Sequence, residues 1–194
     1  MSDNNLFKDI RIKRGDTEKS YRWYQDQIRN LLRKNPVSPN SRDLLKDVDH
    51  LRNIIIPGKM YLFLYDAKHK DTLPYWDMFP LVLPFRKVED GFYGINLHYL
   101  SYPLRFKLLE TLNKNTINKA LTEDAKIKIS WEMLLTMSRI APVKACVKHY
   151  LTDHVESRFL NIPHPDWVTA AMLPVERFVG ASKEKVWRDS RRMF

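Results

Sequence analysis

Three aspartates, Asp66, Asp71 and Asp77, lie close enough in sequence to act together on a phosphodiester bond. Carboxylates held side by side can bind Mg²⁺ for hydrolysis of a nucleic-acid backbone. Their spacing matches no metal-ligand pattern, however, and Asp66 directly follows a predicted strand, where aspartates commonly form turns. A metal-dependent nuclease is therefore the less favoured of the functions considered for this sequence.

No other group of residues has the spacing of an active site. His149 and His154 are five residues apart on a predicted helix, so they would not share a face as two ligands one turn apart do. The chain has only five glycines and lacks nucleotide-binding glycine loops, and no serine lies in a nucleophile elbow. The only cysteine, Cys146, lies in an apolar stretch and is expected to be a buried thiol. The sequence predicts no catalytic residue, no metal site and no cofactor.

The positive charge of the chain is its most informative property. The sequence has 33 Lys and Arg against 23 Asp and Glu, a net charge of +10. A surplus of this size favours a polyanionic partner, either nucleic acid or an acidic protein surface. The cations are scattered, which suits sequence-independent contact with phosphates. The predicted DNA-binding residues are Arg11, Lys13, Arg14, Lys68, Lys70, Arg86, Lys87, Lys185, Arg188, Arg191 and Arg192.

Three aromatic residues lie beside these cations. Tyr75 and Trp76 follow the first basic loop, and Trp187 lies between Lys185 and Arg188. Aromatic rings next to cations can stack on unpaired bases or on the last base pair of a duplex. We therefore predict possible base stacking by Tyr75, Trp76 and Trp187.

The first part of the chain, residues 1–57, is predicted to be a basic arm with helices. Aromatic and aliphatic residues recur at helical spacing over residues 21–32, after Asp16 or Thr17 as a possible N-cap. This helix should end before Pro36, and a turn-rich linker over residues 36–40 should lead to a short helix over residues 41–50.

The middle of the chain, residues 58–100, has the pattern of short strands joined by turns. Residues 60–65, 81–85 and 92–100 are the strand candidates, and Pro84 indicates that the second is an edge strand or that a strand ends there. Gly91 is expected to form a hairpin turn because glycine tolerates positive φ. These features predict a small antiparallel β-barrel or sheet of SH3-like size.

The rest of the chain is predicted to be mainly helical, which makes residues 58–194 a single α+β domain. Within residues 103–162 we expect one helix after Pro103, a second capped by Ser130, and a third after Pro142 that continues through Tyr150 to Phe159. In the last part, residues 166–194, a returning strand over residues 167–173 precedes a basic helix over residues 183–192, capped by Ser182. No signal peptide or membrane-spanning run is apparent, so a reducing aqueous compartment is expected.

Several segments resemble one known family. They are residues 58–68 (GKMYLFLYDAK), 73–77 (LPYWD), 79–82 (FPLV), 91–100 (GFYGINLHYL), 173–178 (LPVERF) and 186–190 (VWRDS). Together they resemble the DNA end protector (head-completion) proteins of contractile-tailed bacteriophages. The resemblance covers roughly residues 57–190.

The resemblance implies a virion assembly protein that is not an enzyme. It would bind the portal or neck and the terminus of packaged double-stranded DNA, and would protect that end from host exonuclease. It would be located at the head–neck region of the virion, and in the host cytoplasm during assembly and after injection. No membrane and no small-molecule substrate is implied. The main alternative is a purely structural neck or baseplate protein that contacts only other proteins.

Overall fold

An antiparallel sheet forms the centre of the molecule, for which the computed structural model describes residues 6–15, 17–34, 44–45, 48–116 and 120–192. The strands in chain order are β1 (Leu51–Arg52), β2 (Met60–Leu62), β3 (Trp76–Asp77), β4 (Leu81–Val88), β5 (Gly91–Asn96), β6 (Val147–Leu151), β7 (Phe159–Ile162) and β8 (Phe178–Val179). Six of them form the main sheet in the order β1-β7-β2-β4-β5-β6, and β3 pairs with β8 in a separate ladder. Helices and strands are thus mixed, as the α+β class predicts.

The predicted barrel is wrong, because the main sheet is open. Its edge strands β1 and β6 each have one partner among the described residues and do not pair with each other. The predicted helix through Tyr150 and Phe159 is also wrong. Only a short turn of helix precedes β6, and Tyr150 and Phe159 lie on β6 and β7. Pairing of β6 with β5 over five residue pairs overrides the local helical spacing.

The β4–β5 hairpin is confirmed, but two of its details differ from the prediction. Pro84 lies on a central strand and is tolerated there because the register shifts between Pro84 and Arg86, which leaves Phe85 as a bulge residue. Gly91 does not have a positive φ. Glycine is needed there because a Cβ would collide with the carbonyl oxygen of Tyr150 on β6.

The helices are α1 (Leu6–Arg14), α2 (Tyr21–Lys34), α3 (Tyr102–Thr116), α4 (Glu123–Met137), α5 (Ala141–Lys144), α6 (Trp167–Met172) and α7 (Lys183–Arg192). The predictions for α2, α3 and α7 are confirmed, whereas α1 was not predicted. The predicted cap Ser130 is wrong, since it is buried in the middle of α4 and Thr122 accepts the capping bond from the Ala125 amide. Ser20, and not Thr17, accepts a hydrogen bond from the first turn of α2.

The predicted strand over residues 167–173 is wrong, because these residues form α6. Every residue of α6 is buried. A short run that is apolar on all sides has no period to distinguish a buried strand from a buried helix. The predicted cap Asp16, the linker at residues 36–40 and half of the predicted helix at residues 41–50 lie outside the described residues, and residues 48–50 form a 3₁₀ turn.

Two hydrophobic clusters cover the two faces of the sheet. Met60 and Leu62 point to the helices, whereas Tyr61 between them points to an aromatic cluster with Phe63 and Tyr150. The helix-covered cluster also includes residues from the predicted arm, namely Phe7, Ile10, Tyr24 and Ile28. Cys146 is buried in it, as predicted, and burial raises the pKa of its thiol to about 12. The division of the chain at residue 57 stays a prediction.

Candidate nucleic-acid interface

The C-terminal helix α7 carries a group of exposed cations. The Ser182 hydroxyl accepts a hydrogen bond from the Lys185 amide at 3.3 Å, which caps the helix as predicted. Val186 and Ser190, one turn apart, are buried against the core. The opposite side of the helix is therefore turned to solvent.

Arg188, Arg191 and Arg192 are exposed in the last turns of α7. They are spaced at i, i+3 and i+4, so their side chains leave the same side of the helix. Lys185 is engaged with Asp189 at 2.6 Å, which lowers the pKa of Asp189 through their hydrogen bond. Three guanidinium groups at one helix end are an arrangement suited to contact adjacent phosphates.

Trp187 fixes α7 to the rest of the protein. Its indole Nε1 donates a hydrogen bond to the carbonyl oxygen of His98 at 2.9 Å, and its ring lies edge-on to Tyr102 with centroids 5.3 Å apart. The ring is also 5.6 Å from the Arg105 guanidinium. In this structure Trp187 thus serves as an anchor, and base stacking by its ring stays a prediction.

A buried arginine, Arg105, holds the backbone to which Trp187 is bonded. Arg105 has no exposed surface and donates hydrogen bonds to three carbonyl oxygens, those of Leu100 at 2.7 Å, Ala171 at 2.9 Å and His98 at 3.1 Å. Burial lowers the pKa of Arg105. The same His98 carbonyl oxygen accepts from Trp187, so Arg105 helps to position the acceptor that holds α7.

Glu176 is the counter-ion of Arg105. Its carboxylate is 3.6 Å from Arg105 Nη1 and 3.2 Å from Lys183 Nζ, and it accepts a hydrogen bond from the Tyr102 hydroxyl at 2.8 Å. Burial alone would raise the pKa of Glu176, but the charge of Arg105 and its neighbours lowers it to about 2. The network links α3, the segment before β8 and the first turn of α7.

The three aspartates considered for metal binding have separate roles. Asp77 is buried and accepts hydrogen bonds from the Phe79 and Arg177 amides and from the Asn96 side chain, and it contacts His98 Nδ1 at 2.8 Å. Asp66 pairs with Lys70 at 2.7 Å, and Asp71 is exposed. Among the described residues, no group of three or more His, Cys, Asp or Glu side chains is placed to hold a metal ion.

The predicted cations near the N-terminus attach α1 to the protein. The Arg11 guanidinium forms a two-pronged ion pair with the buried Asp166, including Nε to Oδ1 at 2.9 Å, and this hydrogen bond raises the pKa of Arg11. Arg14 donates to the carbonyl oxygen of Pro165 at 2.9 Å. Lys13, between them, is exposed. Arg11 and Arg14 therefore stabilise the position of α1, whereas Lys13 does not.

The remaining predicted cations lie on two loops or strand ends. Lys68 and Lys70 are exposed on the turn after β2, although Lys70 is paired with Asp66. Arg86 and Lys87 are exposed in succession at the outer end of β4, directly after the bulge at Phe85. Contact of any of these residues with DNA stays a prediction.

The structure exposes a different tryptophan from those singled out in the sequence. Trp76 is only 8% exposed and packs in the aromatic cluster, and Tyr75 is half-buried against Tyr99 and Phe178. Trp131 on α4 is 38% exposed and lies next to Arg86 and Lys87. Trp131 follows Lys128 by one helical turn, a spacing that could have indicated an aromatic residue beside a cation. Its apolar neighbours instead favour a buried position in the sequence.

Comparison with known families identifies the family of this chain. The model of a family described as phage T4 terminal DNA protecting protein matches residues 8–191. The chain belongs to this family. The resemblance to DNA end protectors is thereby confirmed, and it extends to α1 and α2.

Membership of this family supports a role at DNA ends and suggests that this role is structural and non-enzymatic. No curated protein and no solved structure matches it significantly. None of its described helices has the length and apolar character needed to cross a membrane.

Proposed function

We propose that this protein binds the terminus of packaged double-stranded DNA at the portal or neck of the filled virion head and protects that terminus from host exonuclease. After injection it would remain on the DNA end in the host cytoplasm. The observation that carries this proposal is the family match over residues 8–191. The net charge of +10 supports a phosphate-binding partner.

The geometry of α7 supports protection of the DNA end by occupancy. Four residues of helix rise separate Arg188 from Arg192, a distance of about 6 Å. Successive phosphates of one strand advance about 3.4 Å along the duplex axis, so side chains on this helix end can reach neighbouring phosphates. Because Trp187 and the Arg105 network hold α7 in place, the cations are presented on a rigid surface. An end-dependent nuclease cannot load where the last base pairs are covered.

Contact with a neck or portal protein is supported by exposed apolar residues. Ile54 is 67% exposed and Ile56 is 41% exposed, in the loop between β1 and β2. Apolar side chains next to each other on the surface are typical of protein contacts. This loop is our candidate for the surface that meets another virion protein.

The proposal is tested by challenging linear duplex DNA with an exonuclease after incubation with the purified protein. We expect the wild-type protein to slow degradation, and the variant with Arg188, Arg191 and Arg192 changed to Gln to lose most of this effect. The matched control changes Arg22, Arg33 and Lys34 to Gln, which removes the same charge from exposed positions on α2. The control variant should protect as well as the wild-type protein.

Three results would contradict the proposal in different ways. Equal loss of protection in both variants would show that total charge, and not α7, determines binding. No protection by the wild-type protein would favour a neck or baseplate protein that contacts only proteins. Degradation of the DNA by the protein itself in Mg²⁺ would indicate a nuclease.

A further inference from the structure

A groove with a volume of about 690 Å³ runs between α4 and the outer end of β4. One face of α4 forms its first wall, since Asp124, Ile127, Lys128 and Trp131 recur at helical spacing along it. Phe85, Arg86 and Lys87 on β4 form the second wall, and Pro57 closes one side. The groove lies apart from the phosphate contacts proposed for α7.

Close backbone packing holds the walls of the groove in place. Gly58 has a φ of +91° and packs so closely on α4 that a Cβ would lie 2.5 Å from the Ile127 carbonyl oxygen. The Gly58 amide donates to the carbonyl oxygen of Pro84 at 2.9 Å, which ties this loop to β4 just before the bulge. The loop, the helix and the strand are therefore held together at the groove.

The bulge on β4 also fixes the tryptophan. Phe85 has no partner in the register with β5, and its carbonyl oxygen accepts a hydrogen bond from Trp131 Nε1 at 2.7 Å. The Trp131 side chain is thereby held in one orientation while 38% of its surface stays exposed. An aromatic ring fixed before binding loses little conformational entropy when a ligand stacks on it.

The groove combines an apolar floor with a basic rim. Ile127, Trp131 and Leu135 supply apolar surface, and Arg86, Lys87 and Lys128 supply three cations against the single acidic side chain Asp124. An unpaired nucleotide has the complementary chemistry, a flat apolar base joined to an anionic phosphate. A paired base offers no exposed face inside the duplex, and an acidic peptide would leave the apolar floor unused.

We infer that this groove binds an unpaired nucleotide at the DNA terminus, with the base against Trp131 and the phosphate at Arg86, Lys87 and Lys128. The inference rests on the proposed function and adds to it a preference for ends that are frayed or carry a single-stranded tail. A second cavity of about 390 Å³ shares Ile127 with the groove and is lined by Lys59, Lys126 and His164. A tail longer than one nucleotide would continue in that direction.

The test is an anisotropy titration with a blunt duplex and with the same duplex carrying a few unpaired thymidines. We expect the tail to raise the affinity of the wild-type protein at least about tenfold. Trp131→Leu should abolish this gain while leaving affinity for the blunt duplex nearly unchanged. Changing Arg86, Lys87 and Lys128 to Gln is the second test variant, because it leaves the Trp131 hydrogen bond in place.

The variant with Arg188, Arg191 and Arg192 changed to Gln is the matched control. It should bind both DNAs more weakly and still prefer the tailed one. Equal wild-type affinity for tailed and blunt DNA would overturn the inference and leave the proposed function standing, whereas binding to neither DNA would overturn both. If a glutamate-rich peptide competes at Trp131 and oligothymidine does not, the groove binds an acidic protein segment and the inference is wrong.

Discussion

Replacement of Arg105 by Met tests the buried network on which the position of α7 depends. Methionine keeps much of the aliphatic volume of arginine but removes its charge and its donors. The change leaves the Leu100, Ala171 and His98 carbonyl oxygens without these donors, and it leaves Glu176 without its principal counter-charge. Both effects destabilise the folded state.

The size of the stability loss follows from the burial of the Arg105–Glu176 ion pair. Removing one partner of a buried ion pair typically costs about 3–5 kcal/mol, because the other charge stays buried and uncompensated. Lys183 and Tyr102 still contact Glu176 and keep the loss near the lower end of that range. We therefore expect Arg105→Met to lower the free energy of unfolding by roughly 3 kcal/mol.

Urea denaturation followed by circular dichroism measures this loss, provided that the unfolding free energy falls with urea concentration at the same slope in the variant and the wild-type protein. The double variant Arg105→Met, Glu176→Gln should recover about 1–2 kcal/mol, because it removes the orphaned charge. The control Arg177→Met changes an exposed neighbour and should shift stability by less than about 0.5 kcal/mol. A loss below about 1 kcal/mol for Arg105→Met would refute the account of the network.

Three further predictions concern stability. Gly91→Val should lower the free energy of unfolding by about 2 kcal/mol or more in thermal or urea melts, because its side chain would collide with the Tyr150 backbone on β6; an unchanged melting temperature would disprove this close approach. The pKa of Glu176 is lowered from 4.5 to about 2, so its contribution of roughly 3 kcal/mol is present above pH 4.5 and is lost as the pH falls towards 2. Acid titration of unfolding should show this loss in the wild-type protein and a smaller one in Glu176→Gln. Arg11→Ala should cost about 2 kcal/mol because it orphans Asp166, while Lys13→Ala should cost almost nothing; equal effects would contradict the assigned pairing.

The elements that the sequence predicts well are those whose signals are local. For α7, the cap Ser182 and the spacing of Val186 and Ser190 are contained in the helix itself. The β4–β5 hairpin is similarly defined by neighbouring residues. In contrast, β6 is a strand because β5 lies beside it, although its own residues also fit a helix. The full extent of the six-stranded sheet does not follow from a pattern that places the residues of β6 and β7 in a helix.

The candidate site shows the same dependence on distant contacts. The sequence predicts Arg188, Arg191 and Arg192 as DNA-binding residues because a charged helix end is a local feature, and the structure places all three in exposed positions on α7. Arg105 was missed, because it lies between Leu104 and Phe106 on a predicted helix and its partner Glu176 is far away in the chain. Whether a tryptophan is buried or exposed depends on its packing, and so Trp76 and Trp131 could not be distinguished by sequence.

The central claim is that exposed cations on a rigid surface hold a DNA terminus through its phosphates. The most direct measurement compares the affinity for a linear duplex with that for the same duplex closed by hairpin loops at both ends, across a series of salt concentrations. The account predicts tighter binding to the open ends and an affinity that falls steeply as salt increases, because phosphate neutralisation releases counterions. Equal affinity for open and closed ends, or an affinity that does not change with salt, would contradict it.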